Sequence, residues 1–263
     1  MLANTKLYLS GAIAEYISTS NQTYVKGNDL ERSIQRTRTR LKRLISANSG
    51  QYYDRGQKRF FMPLFLTLTF RENITDVNYC NYIFTKFIKR LNRSIYKENK
   101  AILKYVSVIE FQKRGAVHYH VILFNVPFIQ DLQGKIDKAW GQGFIFVNSV
   151  RDVKNVGAYV VKYMSKIHID TRLYRQKKYF ASKNLLKPIL IRDIYTIMDY
   201  MEIFYSCDVI TKFVSDTLEY GRFYLGDNSL RYLNVKGMDV NISVVDNSKV
   251  DLPRYKRLTL FNE

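Results

Sequence analysis

The chain has only two cysteines, Cys80 and Cys207, far apart and outside any C-x-x-C spacing. A disulfide framework and a thiolate metal or redox motif are therefore excluded, and a reduced, intracellular (cytoplasmic) protein is the simplest expectation. Long hydrophobic runs are also missing. The stretch from Leu7 to Ile17 is short and interrupted by Glu15, too brief for a membrane span and unlike a signal peptide, so no membrane partner is expected. There is no internal repeat and no low-complexity linker. A nucleotide-binding G-x-x-x-x-G-K-[ST] loop is absent as well: Gly134-Lys135 is followed by Ile136, with no glycine at the required position upstream. An ATP-driven helicase is therefore not encoded here. Acidic residues are scarce, 23 against 42 Lys and Arg, which leaves a net charge of +19. Such a balance favours a polyanionic partner. The 21 tyrosines and 16 phenylalanines beside those cations suit phosphate tracking and stacking on unpaired bases. An AT-rich coding sequence would give a similar composition, so composition alone does not decide.

Histidine is rarer still, three in 263 residues, yet His118 and His120 stand together in Val117-His118-Tyr119-His120-Val121. On a strand, residues two apart share a face, so both imidazoles can address one object. Glu110 ends the preceding strand-like run, Lys104 to Phe111, and Lys113-Arg114-Gly115 suits a three-residue hairpin loop with Gly115 at positive φ. With Gln112 and Ala116 flanking that loop, Glu110 falls opposite His118. Two imidazoles and a carboxylate, with positions left open, suit a catalytic divalent cation better than a closed structural zinc site. The plainer alternative is a pair of polar residues facing solvent.

At 263 residues the chain can bury one sizeable core with a smaller appendage. From Asp29, the run Leu30 to Ala47 reads as a helix crowded with Arg32, Arg36, Arg38, Arg40, Lys42 and Arg43. With few acidic neighbours, Arg32, Arg36, Arg40 and Arg43 are candidate phosphate contacts, as are Lys113 and Arg114 in the hairpin loop. Leu64 to Phe70 alternates large and small residues as a central strand does, with Thr67 and Thr69 on one face. Asp76 is placed to cap a helix reaching about Tyr96, with Ile83, Phe87, Ile88, Leu91 and Ile95 inward. After the hairpin, Pro127 suits the first turn of a helix through Trp140, Gly141 suits its stop, and Phe144 to Val150 reads as a fourth strand. The order β-α-β-β-α-β predicts an α+β, ferredoxin-like (RRM-like) antiparallel sheet, helices on one face and the other open. Its first and third strands form the central pair, setting Thr67 and Thr69 beside His118 and His120. The expected division is a basic N-terminal helical arm (1–57), a core (58–187) and a C-terminal extension (188–263) of undetermined role.

Beyond the fourth strand, Val153 to Ile167 reads as another helix, on which Tyr159, Lys162, Tyr163 and Lys166 form one stripe at i, i+3, i+4 and i+7. Both tyrosines can simply pack with their hydroxyls at the rim. Beside a divalent cation, however, a tyrosine can attack phosphorus: its phenol, of reference pKa about 10, needs help to ionise. The cation and a lysine one turn away provide positive potential. Lys166 continues the stripe as a candidate phosphate contact.

The order of these parts resembles the HUH endonucleases, specifically the rolling-circle replication initiators of the filamentous-phage gene II type. The matching motifs are Phe65-Leu66-Thr67-Leu68-Thr69-Phe70, His118-Tyr119-His120 and Tyr159-Val160-Val161-Lys162. Glu110-Phe111-Gln112-Lys113-Arg114-Gly115 and Val156-Gly157-Ala158-Tyr159 extend the likeness, which covers about Asp29 to Pro188. The resemblance implies a metal-dependent nickase and strand transferase acting on single-stranded or hairpin origin DNA, with Mg2+ or Mn2+ on Glu110, His118 and His120. Tyr159 would be the nucleophile that forms a 5′-phosphotyrosyl intermediate, Lys162 its helper and Tyr163 a second nucleophile or a packing residue. Host helicase and polymerase would be partners. A single-tyrosine transposase of the same superfamily and a non-enzymatic RRM-like single-strand binder are the competing readings.

Overall fold

The structure is a computed structural model and describes residues 4–20, 29–50, 52–54, 59–61, 63–149, 179–204, 207–215, 218–225, 241–245 and 254–257. In chain order the elements are β1 (Asn4–Ser10), β2 (Ile13–Thr19), α1 (Asp29–Asn48), β3 (Tyr52–Asp54), β4 (Arg59–Phe60), β5 (Leu64–Phe70), α2 (Val77–Tyr96), β6 (Tyr105–Phe111), β7 (Val117–Leu123), α3 (Leu132–Trp140), β8 (Gly143–Ser149), β9 (Tyr179–Ala181), β10 (Ile189–Ile191), α4 (Ile194–Phe204), β11 (Asp208–Val214), β12 (Leu218–Tyr224), β13 (Asn241–Val245) and β14 (Arg254–Arg257). The chain is α+β, with two antiparallel five-stranded sheets and four helices among the described residues. It divides into two compact units, one of residues 49–185 with 243–255, the other of 1–48, 186–242 and 256–263.

The first unit is built on the sheet β8-β5-β7-β6-β9. Numbering β5, β6, β7 and β8 as strands one to four gives the order four-one-three-two of the expected ferredoxin-like arrangement, with β9 added on the outside of β6. The hydrophobic alternation of β5 explains its central place: Leu66, Leu68 and Phe70 are buried, whereas Thr67 and Thr69 are only partly covered. On α2 the buried stripe is Cys80, Phe84, Phe87, Leu91 and Ile95, a helical period rotated from the Ile83 and Ile88 side suggested by the sequence. The reason is aromatic packing. Phe84 stacks on Tyr119 with ring centroids 4.5 Å apart, and the Tyr119 hydroxyl donates to Asn81 Oδ1 at 2.7 Å. Because Tyr119 points into this helical layer, His118 and His120 on either side of it point the other way.

Helix α2 starts where Asp76, in extended conformation, accepts from the amides of Asn78 and Tyr79. Helix α3 starts later than the Pro127 signal suggests: Asp131 caps it by accepting from Gly134 N at 3.1 Å, so 127–130 precede the helix. Trp140 closes α3 against the sheet, wedged between Phe70 and Phe87, with its indole N–H donating to Thr69 O at 3.1 Å. The chain then turns through Gly143 at φ +157, where a Cβ would collide with Thr69 O and Arg71 N; only glycine lets β8 begin against the end of β5.

Buried Asn92 organises the link from α2 to β6. Its Oδ1 accepts from Ile102 N and Leu103 N, each at 2.9 Å, and its Nδ2 donates to Glu98 O and Lys100 O at 3.1 and 2.8 Å. Asn92→Ala leaves two buried amides without an acceptor and is expected to destabilise the protein by about 3 kcal/mol or more. Urea unfolding measures this, and a loss under about 1 kcal/mol would show the amides finding other partners.

The second unit contains the sheet β10-β1-β2-β12-β11. The segments read from the sequence as an N-terminal arm and as a C-terminal extension thus contribute strands to one sheet, Tyr16 lying opposite Gly221 in the β2–β12 pairing. Leu7, Leu9, Ala14, Ile191, Ile197, Tyr200, Phe204 and Phe223 form its core. Glu15 is buried, answered by Arg43 Nε at 2.5 Å, Arg222 Nε at 3.6 Å and the Tyr220 hydroxyl at 3.2 Å. Arg43 also lies 3.3 Å from the centroid of the Tyr8 ring, fixing α1 to this sheet. Among the described residues no helix is long and apolar enough to cross a membrane.

Candidate functional site

The hairpin β6–β7 closes as its sequence requires. Gln112 N donates to Ala116 O at 2.9 Å, Gly115 takes φ 91, and the register sets Glu110 opposite His118. On the other side of β7, Thr67 stands opposite His120 and Thr69 opposite His118. Glu110, His118, His120, Thr67 and Thr69 therefore share the sheet face turned away from α2 and α3, with both histidines on a strand buried along its whole length.

Side-chain geometry adds what register cannot. Glu110 reaches diagonally to His120, its Oε2 lying 2.5 Å from Nε2, and Thr67 Oγ1 is 3.2 Å from His120 Nδ1. The Phe65 ring lies nearly parallel to the imidazole, centroids 5.6 Å apart. His120 is thus fixed on both nitrogens and one face. A threonine hydroxyl both donates and accepts, so Thr67 can hold the ring in either neutral tautomer. His118 differs: its Nε2 is buried without a hydrogen-bond partner among the described residues. Burial first, then the positive charges of His120 and Arg114, hold its pKa down to about 4 against the opposing pull of Glu110, so the ring is neutral near pH 7.

A neutral imidazole with an unpartnered nitrogen, a second imidazole and a carboxylate have the donor chemistry of a divalent-cation site. Among the described residues, however, no three or more of His, Cys, Asp and Glu are grouped as a ready-made metal site, and Glu110 spends its contact on His120 Nε2 directly. Coordination would replace that contact. Thr67 would then accept from Nδ1–H, holding the ring's orientation from its other nitrogen.

Residues 63–168 match the family model for the replication-associated proteins of the ORF2 and gene II protein type. The match is consistent with a rolling-circle replication initiator. It begins just before β5, takes in the whole histidine face and continues through Tyr159 and Lys162. No curated protein and no solved structure matches the chain.

Tyr159, Lys162, Tyr163 and Lys166 lie outside the described residues. In the hairpin loop Lys113 is exposed, and Arg114 is tethered there by its own hydrogen bonds, donating to Gln112 Oε1 at 2.8 Å and to Phe70 O at 3.3 Å. That places a guanidinium at the His118 end of the face. In the other unit Arg32, Arg36 and Arg40 line one side of α1 with Gln35 and Thr39, around a groove of about 410 Å³. Arg43 lines the same groove but is committed to Glu15 and Tyr8. The sequence reading overlooked Phe65 as the ring against His120, though its place two residues before Thr67 on the same strand face was a usable signal.

Proposed function

We propose that the chain nicks and rejoins single-stranded origin DNA to start rolling-circle replication of a phage or plasmid. The observation that carries this reading is the placement of Glu110, His118 and His120 on one sheet face, inside the segment that matches a replication-associated family. A divalent cation, Mg2+ or Mn2+, held by these three side chains would supply Lewis-acid polarisation of the scissile phosphate. Thr67 and Phe65 keep the His120 ring in place for that duty. Arg114 at the end of the face draws the phosphate and balances charge. The phenolic oxygen of Tyr159 bonds to phosphorus as the P–O3′ bond breaks, giving a 5′-phosphotyrosyl enzyme and a free 3′-hydroxyl that primes synthesis. The phenol proton leaves toward the departing 3′-oxygen, assisted by Lys162. Attack of a 3′-hydroxyl on the phosphotyrosine reverses the step and rejoins the strand, with Tyr163 available for a second cut.

Incubation with the circular replicon and Mn2+, nuclease trimming and peptide mapping by mass spectrometry test the proposal. The nucleotide adduct is expected on the peptide carrying Tyr159. An adduct on Tyr163 alone would exchange the roles of the two tyrosines, and no adduct beside nicked product would refute covalent catalysis.

A further inference from the structure

Edge strand β8 carries two phenylalanines that the fold does not use. Phe144 is 69% exposed and Phe146 61%, and neither ring has an aromatic partner among the described residues. Register fixes their direction. Phe144 stands opposite Thr69 and Phe146 opposite Thr67, and those threonines stand opposite His118 and His120. Residues directly opposite on paired strands project from the same face, so the rows Phe144–Thr69–His118 and Phe146–Thr67–His120 run across one surface. Two strand spacings separate each phenylalanine from its histidine, roughly 10 Å, the reach of a neighbouring nucleotide.

We propose that Phe144 and Phe146 form a stacking platform for two bases of an unpaired strand whose phosphate lies over the histidine pair. The proposal rests on the nicking reading for what the histidines hold, and adds where the flanking bases sit. Two flat apolar rings spaced i, i+2 on an uncovered strand suit successive bases, since every base has a face to stack and a duplex hides those faces. Arg114, tethered at Phe70 O, and exposed Arg71, whose amide donates to Gln142 O just before β8, put cations at the same end of the sheet. Left bare, an edge strand of this kind invites aggregation, so two exposed rings there call for an occupant.

The test is binding by fluorescence anisotropy in EDTA, where strand cleavage plays no part, with dT20 and with an abasic 20-mer of equal charge as probes. Phe144→Ala/Phe146→Ala is expected to bind dT20 more weakly by roughly thirtyfold or more and the abasic strand like wild type. Phe144→Trp/Phe146→Trp should restore dT20 affinity, with indole fluorescence quenched on binding. Unchanged dT20 affinity in the double alanine variant, or an equal loss for both probes, overturns the platform. Because no cleavage is read, failure of the tyrosine chemistry would leave this outcome untouched, and the reverse also holds.

Discussion

Tyr159→Phe is expected to abolish both strand cleavage and the covalent protein–DNA adduct, at least about a thousandfold below wild type, while origin-strand affinity stays within a factor of about two. The asymmetry follows from the division of labour. The substitution removes one oxygen, the atom proposed to bond to phosphorus, whereas affinity would be spread over a chain of net charge +19. A suicide oligonucleotide with a 3′-bridging phosphorothiolate at the nick makes the result decisive: wild type should accumulate a gel-stable adduct, Tyr163→Phe should still form it, and Tyr159→Phe should not. An adduct in the Tyr159→Phe protein would hand the first attack to Tyr163 or to another nucleophile.

The histidine face was legible because its determinants are local. A three-residue loop ending in Gly115 fixes the β6–β7 register, and the β-α-β-β-α-β order fixes β5 beside β7. What the sequence withheld was side-chain direction within that register. Glu110 stands opposite His118 yet bonds His120, because a glutamate is long enough to lean along its strand. The second unit was hidden for the opposite reason: its two hairpins, β1–β2 and β11–β12, are joined only by pairings between residues some two hundred apart, such as Tyr16 with Gly221, which leave no local pattern. Glu15 reads in sequence as a break in an apolar run, and only the fold reveals Arg43, Arg222 and Tyr220 as its partners. Arg43 likewise reads as one more cation on a basic helix until Glu15 is known to be there. Phe144-Ile145-Phe146 looks like core from its composition, since hydrophobicity reports what can be buried and the edge position of β8 decides what is.

His118 and His120 should separate on stability as well as on cleavage. His120 is tied to Glu110, Thr67 and Phe65, so any substitution there confounds loss of chemistry with loss of packing. At His118 the Nε2 atom is buried with no hydrogen-bond partner among the described residues, an arrangement that burdens the fold rather than supporting it. His118→Leu, close in volume, is therefore expected to raise stability by about 1 kcal/mol, a rise of roughly 2–4 °C in Tm. The same change should lower Mn2+-dependent cleavage by about a hundred- to a thousandfold, the several kcal/mol of charge stabilisation that a displaced cation takes with it. It should also weaken Mn2+ binding measured by calorimetry. A structural histidine would behave differently, losing stability or leaving cleavage intact. Wild-type cleavage by His118→Leu would remove this residue from the ligand set, and a fall in Tm would show that its nitrogen has a partner in the folded protein. Gain of stability with loss of activity is the signature expected of a side chain kept for what it binds.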